Sequence, residues 1–463
     1  MPATTNVVPS PGEGGTGALG QSGLVQSGLV QSGLGHSGLG QSGPGQSGLV
    51  QSGLVQSGLV QSGLGQSGLG QSGLGPASAC PSVDNVVPRV DGGLVRIRVP
   101  GGRIDAATLL AVADAAQRWG SGIVEITSRA NLQLRGVRSD SATALAEALT
   151  GSGVSGGPSA DRRRNVLLDP LGDLDPEAED LGPLLAPLLA ALDAEPRLDG
   201  LDDKFGFAID GGGSFGLAGR QAAVVAAPTG TAGVMGVCWG WAAEGDEGSP
   251  ARPRHVARRE LVGTLVEAAV GSVGRPRASV VVPAPSMKAA VGVTGPLGLG
   301  AGWVGAMPVL GRLDAEAITA MATAARRYSD GLLRLTPWRG VVYPAVAAAE
   351  GAALLRDLRA CGLVVDASDP ASSVVACAGS RGCSSGLTDA LGDARRVIAA
   401  RRQAGARPVA LHVSGCAKCC AQHSPLAVTL VGSGPHRYDV YADGDLRARA
   451  VGGAEAVAMA AGS

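Results

Sequence analysis

A stretch of 26 residues occurs twice in this chain. Gly102 to Thr127, GRIDAATLLAVADAAQRWGSGIVEIT, aligns without gaps on Gly311 to Thr336, GRLDAEAITAMATAARRYSDGLLRLT, at an offset of 209 residues. Eleven of the 26 positions are identical, among them Arg103/Arg312, Asp105/Asp314, Arg118/Arg327, Gly122/Gly331 and Thr127/Thr336. Other pairs are conservative, such as Trp119/Tyr328 and Ile123/Leu332. Each copy reads strand, turn, helix, strand. Asp105 and Asp314 stand where a short acceptor caps a helix start. Gly122 and Gly331 stand where a left-handed residue ends one. The closing segments IVEIT and LLRLT are apolar or alternate, as strands do. Two copies this far apart predict two similar halves related by a pseudo-twofold axis.

Each half runs on into a further α/β segment. The first, from about Ala160 to Pro285, contains strand-like KFGFAID and QAAVVAA. The second, from about Ser368, contains SVVAC, PVALHVS and LAVTLVG, with the long predicted helix GLTDALGDARRVIAARRQ among them. The first eighty residues are different material. Gln21 to Gly75 is eleven pentads of the type QSGLV or QSGLG, including one HSGLG and one QSGPG. A glycine in every unit and few groups to bury predict a disordered extension. A pentapeptide coil with leucines inward is the other reading. Cys80, just beyond, is expected to be a free, exposed thiol.

Composition excludes several classes. A formal charge of −1 gives no bulk electrostatic case for nucleic acid. No run of about 18 apolar residues suggests a spanning helix. The first Lys or Arg is Arg89, so no secretory n-region is expected and the expected compartment is the cytoplasm. Aromatics are 3% of the chain, which predicts a core of small and branched aliphatics.

Five of the eight cysteines lie in two short runs, VACAGSRGC and HVSGCAKCCAQH. Cys377 and Cys383 are separated by five residues, and Cys416 and Cys420 by three, with Cys419 between them. A disulfide framework is disfavoured in a reducing compartment. Four thiolates from two Gly/Ser-rich loops suit Zn²⁺ or an iron–sulfur cluster, and these spacings are not the usual zinc knuckle. His412 and His423 flank the second pair, where a histidine is more often a hydrogen-bonding neighbour than a ligand.

C-x₅-C followed by C-x₃-C within HVSGC…CAQH resembles the sirohaem and [4Fe–4S] nitrite and sulfite reductase superfamily. The resemblance covers nearly everything after residue 85. It implies an α+β fold: a tandem duplication of a ferredoxin-like half-domain with a larger α/β domain about a pseudo-twofold. The boundaries that follow are 1–84 for the extension, 85–155 and 291–362 for the half-domains, and 156–290 and 363–463 for the α/β parts. The resemblance makes Cys377, Cys383, Cys416 and Cys420 the ligands of a [4Fe–4S] cluster. TSRANLQLRG is similar to a T-x-R-x-x-x-Q segment and implies an active-site Arg129. RRNV implies Arg164, with Arg163 a weaker candidate. DKFGFAID is similar to a K-F-K segment and implies Lys204, with Gly206 in place of the second lysine, a departure that argues against sulfite reduction.

KFGFA and LRLTPWRG resemble the precorrin-3B synthase branch. That branch implies an O₂-dependent monooxygenase of aerobic cobalamin biosynthesis. It hydroxylates C20 of precorrin-3A and closes the ring A acetate onto C1 as a γ-lactone. It implies the cluster, a further iron centre (non-haem iron rather than sirohaem) and an electron donor fed by NADH, with no nucleic acid and no membrane partner. Arg129, Arg164 and Lys204 would then hold substrate carboxylates, for which the guanidinium fork is suited. The alternatives are a sirohaem nitrite or sulfite reductase and a zinc-stapled binding protein. GGGSFG, Gly211 to Gly216, fits a nucleotide-binding glycine pattern, but no helix is expected after it, so a glycine-rich hairpin loop is the reading.

Overall fold

The computed structural model describes residues 80–155, 161, 163–198, 206–217, 224–228, 235–239, 264–265, 268–269, 271, 277–278, 294–422 and 425–462. The pentad tract and Lys204 lie outside them, as does His423. In chain order, the first half-domain comprises β1 (Val87–Arg89), β2 (Gly92–Ile97), β3 (Arg103–Asp105), α1 (Ala106–Trp119), β4 (Ile123–Ile126), β5 (Leu132–Val137) and α2 (Ala142–Gly151). An α/β part follows with β6 (Val166–Leu168), α3 (Leu185–Asp193), β7 (Phe207–Ile209), β8 (Val224–Pro228), β9 (Met235–Trp239) and β10 (Arg277–Ala278). The second half-domain comprises β11 (Gly298–Gly300), β12 (Trp303–Ala306), β13 (Arg312–Asp314), α4 (Ala315–Tyr328), β14 (Leu332–Leu335), β15 (Val341–Pro344) and α5 (Gly351–Ala360). The last part has β16 (Val374–Ala376), α6 (Ala390–Gln403), β17 (Leu411–Ser414), β18 (Val428–Gly434), β19 (Arg437–Ala442), β20 (Asp445–Gly452) and α7 (Gly453–Ala461).

The repeat folds as its sequence predicts. Asp105 accepts from the backbone N–H groups of Ala107 and Thr108, and Asp314 accepts from Ala317. Both close the open N-terminus of a helix. At the other end, Gly122 (φ +76°) and Gly331 (φ +84°) donate back to Ala116 O and Ala325 O. A side chain at either φ would be strained.

The two copies do not stay in their own sheets. The first sheet has the order β1-β2-β5-β4-β13 and the second β11-β12-β15-β14-β3. The first strand of each repeat completes the sheet of the other half. Arg312 pairs with Glu125 on one side, and Arg103 with Arg334 on the other. Helices α1 and α4 pack on each other beneath these sheets, where Ala113, Ala116, Ala322 and Ala325 are buried. Alanine at the contact lets the helix backbones approach closely, in keeping with a core poor in aromatics.

The two α/β sheets repeat as well, which the sequence alignment did not reveal. In each, three strands run parallel and a fourth returns antiparallel: β6, β7, β8 and β9, then β16, β17, β18 and β19. Leu168 sits opposite Ile209 as Ala376 sits opposite Val413. The expected hairpin at GGGSFG is therefore wrong. Strands β7 and β8 are parallel, and parallel strands are not joined by a hairpin turn. A glycine-rich loop between two strands does not reveal their direction. Cys80 is free as expected but half-buried rather than exposed. No helix among the described residues is long and apolar enough to cross a membrane.

Loss of a cap leaves helix donors unsatisfied. Asp105→Ala should cost about 1–2 kcal/mol and Asp314→Ala about 1 kcal/mol, the former more because two backbone donors lose their acceptor. Urea unfolding of each variant checks the order.

Candidate metal centre

The cysteines gather where the parallel strands end. Cys377 follows β16, and Cys416 follows β17 with one residue between. Cys377 N–H donates to Val413 O (3.2 Å), continuing the β16–β17 ladder, and Gly415 N–H donates to the Cys377 sulfur (3.1 Å). The loops meet backbone to backbone. A Cβ on Gly415 would lie 2.9 Å from Gly379 Cα, and one on Gly386 would lie 2.4 Å from the Gly379 carbonyl carbon. Leu387 N–H donates to Gly415 O (2.7 Å), tying the first loop to the second.

Cys377, Cys383, Cys416 and Cys420 all line one cavity of about 290 Å³ between these loops and the first half-domain's sheet. All four are free thiols. Cys419 adopts φ +46° and is not on the wall. Burial, together with Cys416, Cys377 and Cys383, pushes the Cys420 thiol up, and Lys418 opposes this. Among the described residues no three His, Cys, Asp or Glu side chains converge closely enough for one metal ion. Tetrahedral zinc with 2.3 Å bonds would draw its sulfurs to about 3.8 Å apart. A [4Fe–4S] cluster takes one cysteine at each of its four irons, and four cysteines line this one cavity.

The facing wall is basic. Arg89, Arg96, Arg135, Arg339 and Lys418 line the same cavity, with Glu125 and Gln133. Arg135, almost fully buried, donates to Asp91 (2.7 and 3.0 Å), to Glu125 (3.4 Å) and to Gly382 O (3.0 Å), next to Cys383. Burial opposes its charge, but Glu125 and Asp91 outweigh burial and hold the guanidinium above its ordinary value. Glu125 also accepts from Gln133 and pairs with Arg312 (3.4 Å). Arg96 donates to Gln133 (3.3 Å). Arg339 donates to Ala421 O (2.8 Å), next to Cys420, and burial lowers its guanidinium despite Glu125.

Of the basic residues expected from sequence, Arg129, Arg163 and Arg164 do not line this cavity. Arg129 is half-buried on the β4–β5 turn; Thr127 and Ser128 reach the cavity wall but Arg129 does not. Arg163 is buried and donates to Leu192 O and Asp193 O at the end of α3, a structural anchor. Arg164, half-buried beside it, is not on this wall, and Lys204 lies outside the described residues. His412 is buried on β17 and does not line the cavity. Sequence reasoning missed Arg135 and Arg339. Arg135 lay within the quoted TSRANLQLRG, two residues after the glutamine that reaches the wall, and Arg339 within LRLTPWRG.

The pseudo-twofold places a contrasting site in the first α/β part. Asp169 follows β6 as Cys377 follows β16, and its N–H donates to Ile209 O (2.9 Å). Its carboxylate accepts from the N–H of Leu171 through one oxygen, and its other oxygen is buried without a hydrogen-bond partner among the described residues. A carboxylate thus occupies the place of the first cysteine. The wall is inverted too. Arg334, the repeat partner of Glu125, forms a bidentate pair with Asp173. Burial, with Asp210 and Asp175 nearby, pushes the Asp169 carboxyl up to about 6. The native state therefore binds the proton more tightly than the unfolded chain. Stability from this group is present below pH 4 and is lost as pH rises from about 4 to 6, by an amount on the order of 2–3 kcal/mol. Asp169→Asn should remove that slope from a series of urea unfolding curves across this range.

Two stretches of the chain, residues 88–151 and 300–361, match the nitrite/sulfite reductase ferredoxin-like half-domain family. Among characterised proteins, a precorrin-3B synthase of a Sinorhizobium species is 29% identical over 387 residues, spanning 79% of this chain and 83% of its own. A ferredoxin–nitrite reductase of Synechococcus elongatus is 26% identical over 392 residues, spanning 73% of this chain and 76% of its own. Among solved structures, the NirA protein of Mycobacterium tuberculosis superposes with a TM-score of 0.57 at 17% identity, covering 78% of each chain. That likeness concerns the fold.

Proposed function

We propose that the chain is a precorrin-3B synthase, an oxidoreductase of the nitrite and sulfite reductase superfamily whose half-domain family it matches twice. The observation that carries the reading is the cavity itself, four cysteine thiols facing a wall of guanidiniums. Similarity to a precorrin-3B synthase over most of both chains supports a tetrapyrrole as its substrate class.

In this reading Cys377, Cys383, Cys416 and Cys420 hold a [4Fe–4S] cluster. When bound, the cluster supplies single electrons from an NADH-fed donor to a non-haem iron centre at which O₂ is activated. Precorrin-3A, O₂, two electrons and two protons give precorrin-3B and water. One oxygen atom enters as the C20 hydroxyl, and the ring A acetate closes on C1. The chain's own residues bind and orient the substrate. A tetrapyrrole precursor carries acetate and propionate groups, and Arg offers each a planar pair of donors. Arg89 and Arg96 on the wall are suited to this, joined by Arg129, Arg164 and Lys204 from the superfamily's pattern. Gly415 N–H holds the Cys377 sulfur in place. The site lies in the cytoplasm, where the thiols stay reduced.

A sirohaem nitrite reductase is the second reading, favoured by the match to the ferredoxin–nitrite reductase. Gly206, where the superfamily's second lysine stands in anion-reducing relatives, counts against it. Anaerobically purified protein supplied with precorrin-3A, O₂ and a reducing system should form precorrin-3B, followed by mass spectrometry. Cys420→Ser should abolish that product. Wild-type turnover by the variant, or nitrite reduction without precorrin-3B formation by the wild type, contradicts the proposal.

A further inference from the structure

The repeat is least symmetric where its two copies are most alike in backbone. Each ends in the same turn. Thr127 N–H donates to Asn131 O (2.8 Å) and Thr336 N–H to Gly340 O (2.9 Å). Ala130 N–H donates to Thr127 O (3.0 Å) and Arg339 N–H to Thr336 O (3.0 Å). Both threonine hydroxyls accept from the residue four positions on. The residue before the close is left-handed in both, Ala130 at φ +51° and Arg339 at φ +60°. In the first copy that residue is a buried alanine. In the second it is an arginine whose side chain leaves its own half and enters the cysteine cavity walled by the other.

Several features hold it there. Gly311, just before β13, is left-handed (φ +71°), and a Cβ there would lie 2.8 Å from Arg339 Cδ and 3.1 Å from Arg339 Cβ. The far end donates to Ala421 O, directly after Cys420. Arg135 does the same for the other loop at Gly382 O, directly before Cys383. Each cysteine pair thus has a carbonyl beside its last member pinned by a guanidinium, that of Arg135 buried and that of Arg339 half-buried. The charges do not balance locally. Arg135 and Arg312 contact Glu125, and Arg135 also contacts Asp91, whereas Arg339 makes no ion pair among the described residues. A left-handed arginine, half-buried at the cavity wall and without an ion pair among the described residues, is costly unless an anion shares the cavity.

We infer that Arg339 is a positioning residue that holds the Cys416–Cys420 loop and raises the reduction potential of the group bound there. The inference rests on the cluster reading given above. A cluster on four thiolates is anionic in both oxidation states and gains one more negative charge on reduction. A cation fixed at the cavity wall therefore stabilises the reduced form more than the oxidised one. The hydrogen bond to Ala421 acts separately, by fixing the loop that carries Cys420.

Two variants separate the two effects. Arg339→Gln removes the charge, and Arg339→Lys keeps it but loses the planar fork that reaches the carbonyl. Iron and acid-labile sulfide in the wild type come first, because their absence sinks the cluster reading itself. With cluster present, an EPR-monitored redox titration should place the Gln variant at a clearly lower midpoint potential and the Lys variant close to wild type. Both variants should lose iron to a chelator several-fold faster than wild type. A Gln variant at the wild-type potential overturns the electrostatic role. A Lys variant that releases iron at the wild-type rate overturns the positioning role, and it does so even if the Gln variant does not fold.

Discussion

The exchange of one short strand between the two halves is the constraint on which the rest depends. Strands β3 and β13 are three residues each, and each completes the other half's sheet through backbone hydrogen bonds. Neither half has all five strands of its sheet alone. The exchange fuses the half-domains into one body and fixes the pseudo-twofold. It also brings Arg312 beside Glu125, and from the same half Arg339 into a cavity whose wall is the opposite sheet. The cysteine loops close over a surface that both halves build.

Duplication then allowed the two halves to diverge without changing backbone. At the end of the first parallel strand stand Asp169 in one and Cys377 in the other, each continuing the same ladder. Glu125 faces guanidiniums beside the cysteines, and its partner Arg334 faces Asp173 on the other side. One half thus carries thiols under a basic wall, and the other carries carboxylates under an arginine. The same architecture carries a cysteine-lined cavity once and a carboxylate–arginine interface once.

Much of this was legible in the sequence, and the reasons are local. The repeat, its aspartate caps and its left-handed glycines are written within single helices, so short-range chemistry declares them. The four cysteines announced themselves by residue type and spacing in glycine-rich loops that could pack closely. What was hidden is non-local. A three-residue strand carries no mark of which sheet it joins, and β7 and β8 carry none of their relative direction. The second α/β repeat was invisible because strand register is kept while side chains are not. The same limit applied to the basic residues. Motif position pointed to Arg129, whereas Arg135 and Arg339 reach the cavity because of where their turns are carried by the tertiary fold.

The central claim is that this cavity holds an iron–sulfur cluster for chemistry on a tetrapyrrole. An optical spectrum of anaerobically purified protein, with iron and acid-labile sulfide assayed on the same sample, tests it most directly. The account predicts iron and sulfide in cluster proportion, a broad thiolate-to-iron absorption and no intense Soret band. A strong Soret band with a sirohaem band in the red would contradict the assigned reaction. Absence of both iron and sulfide after attempted reconstitution would contradict the cluster.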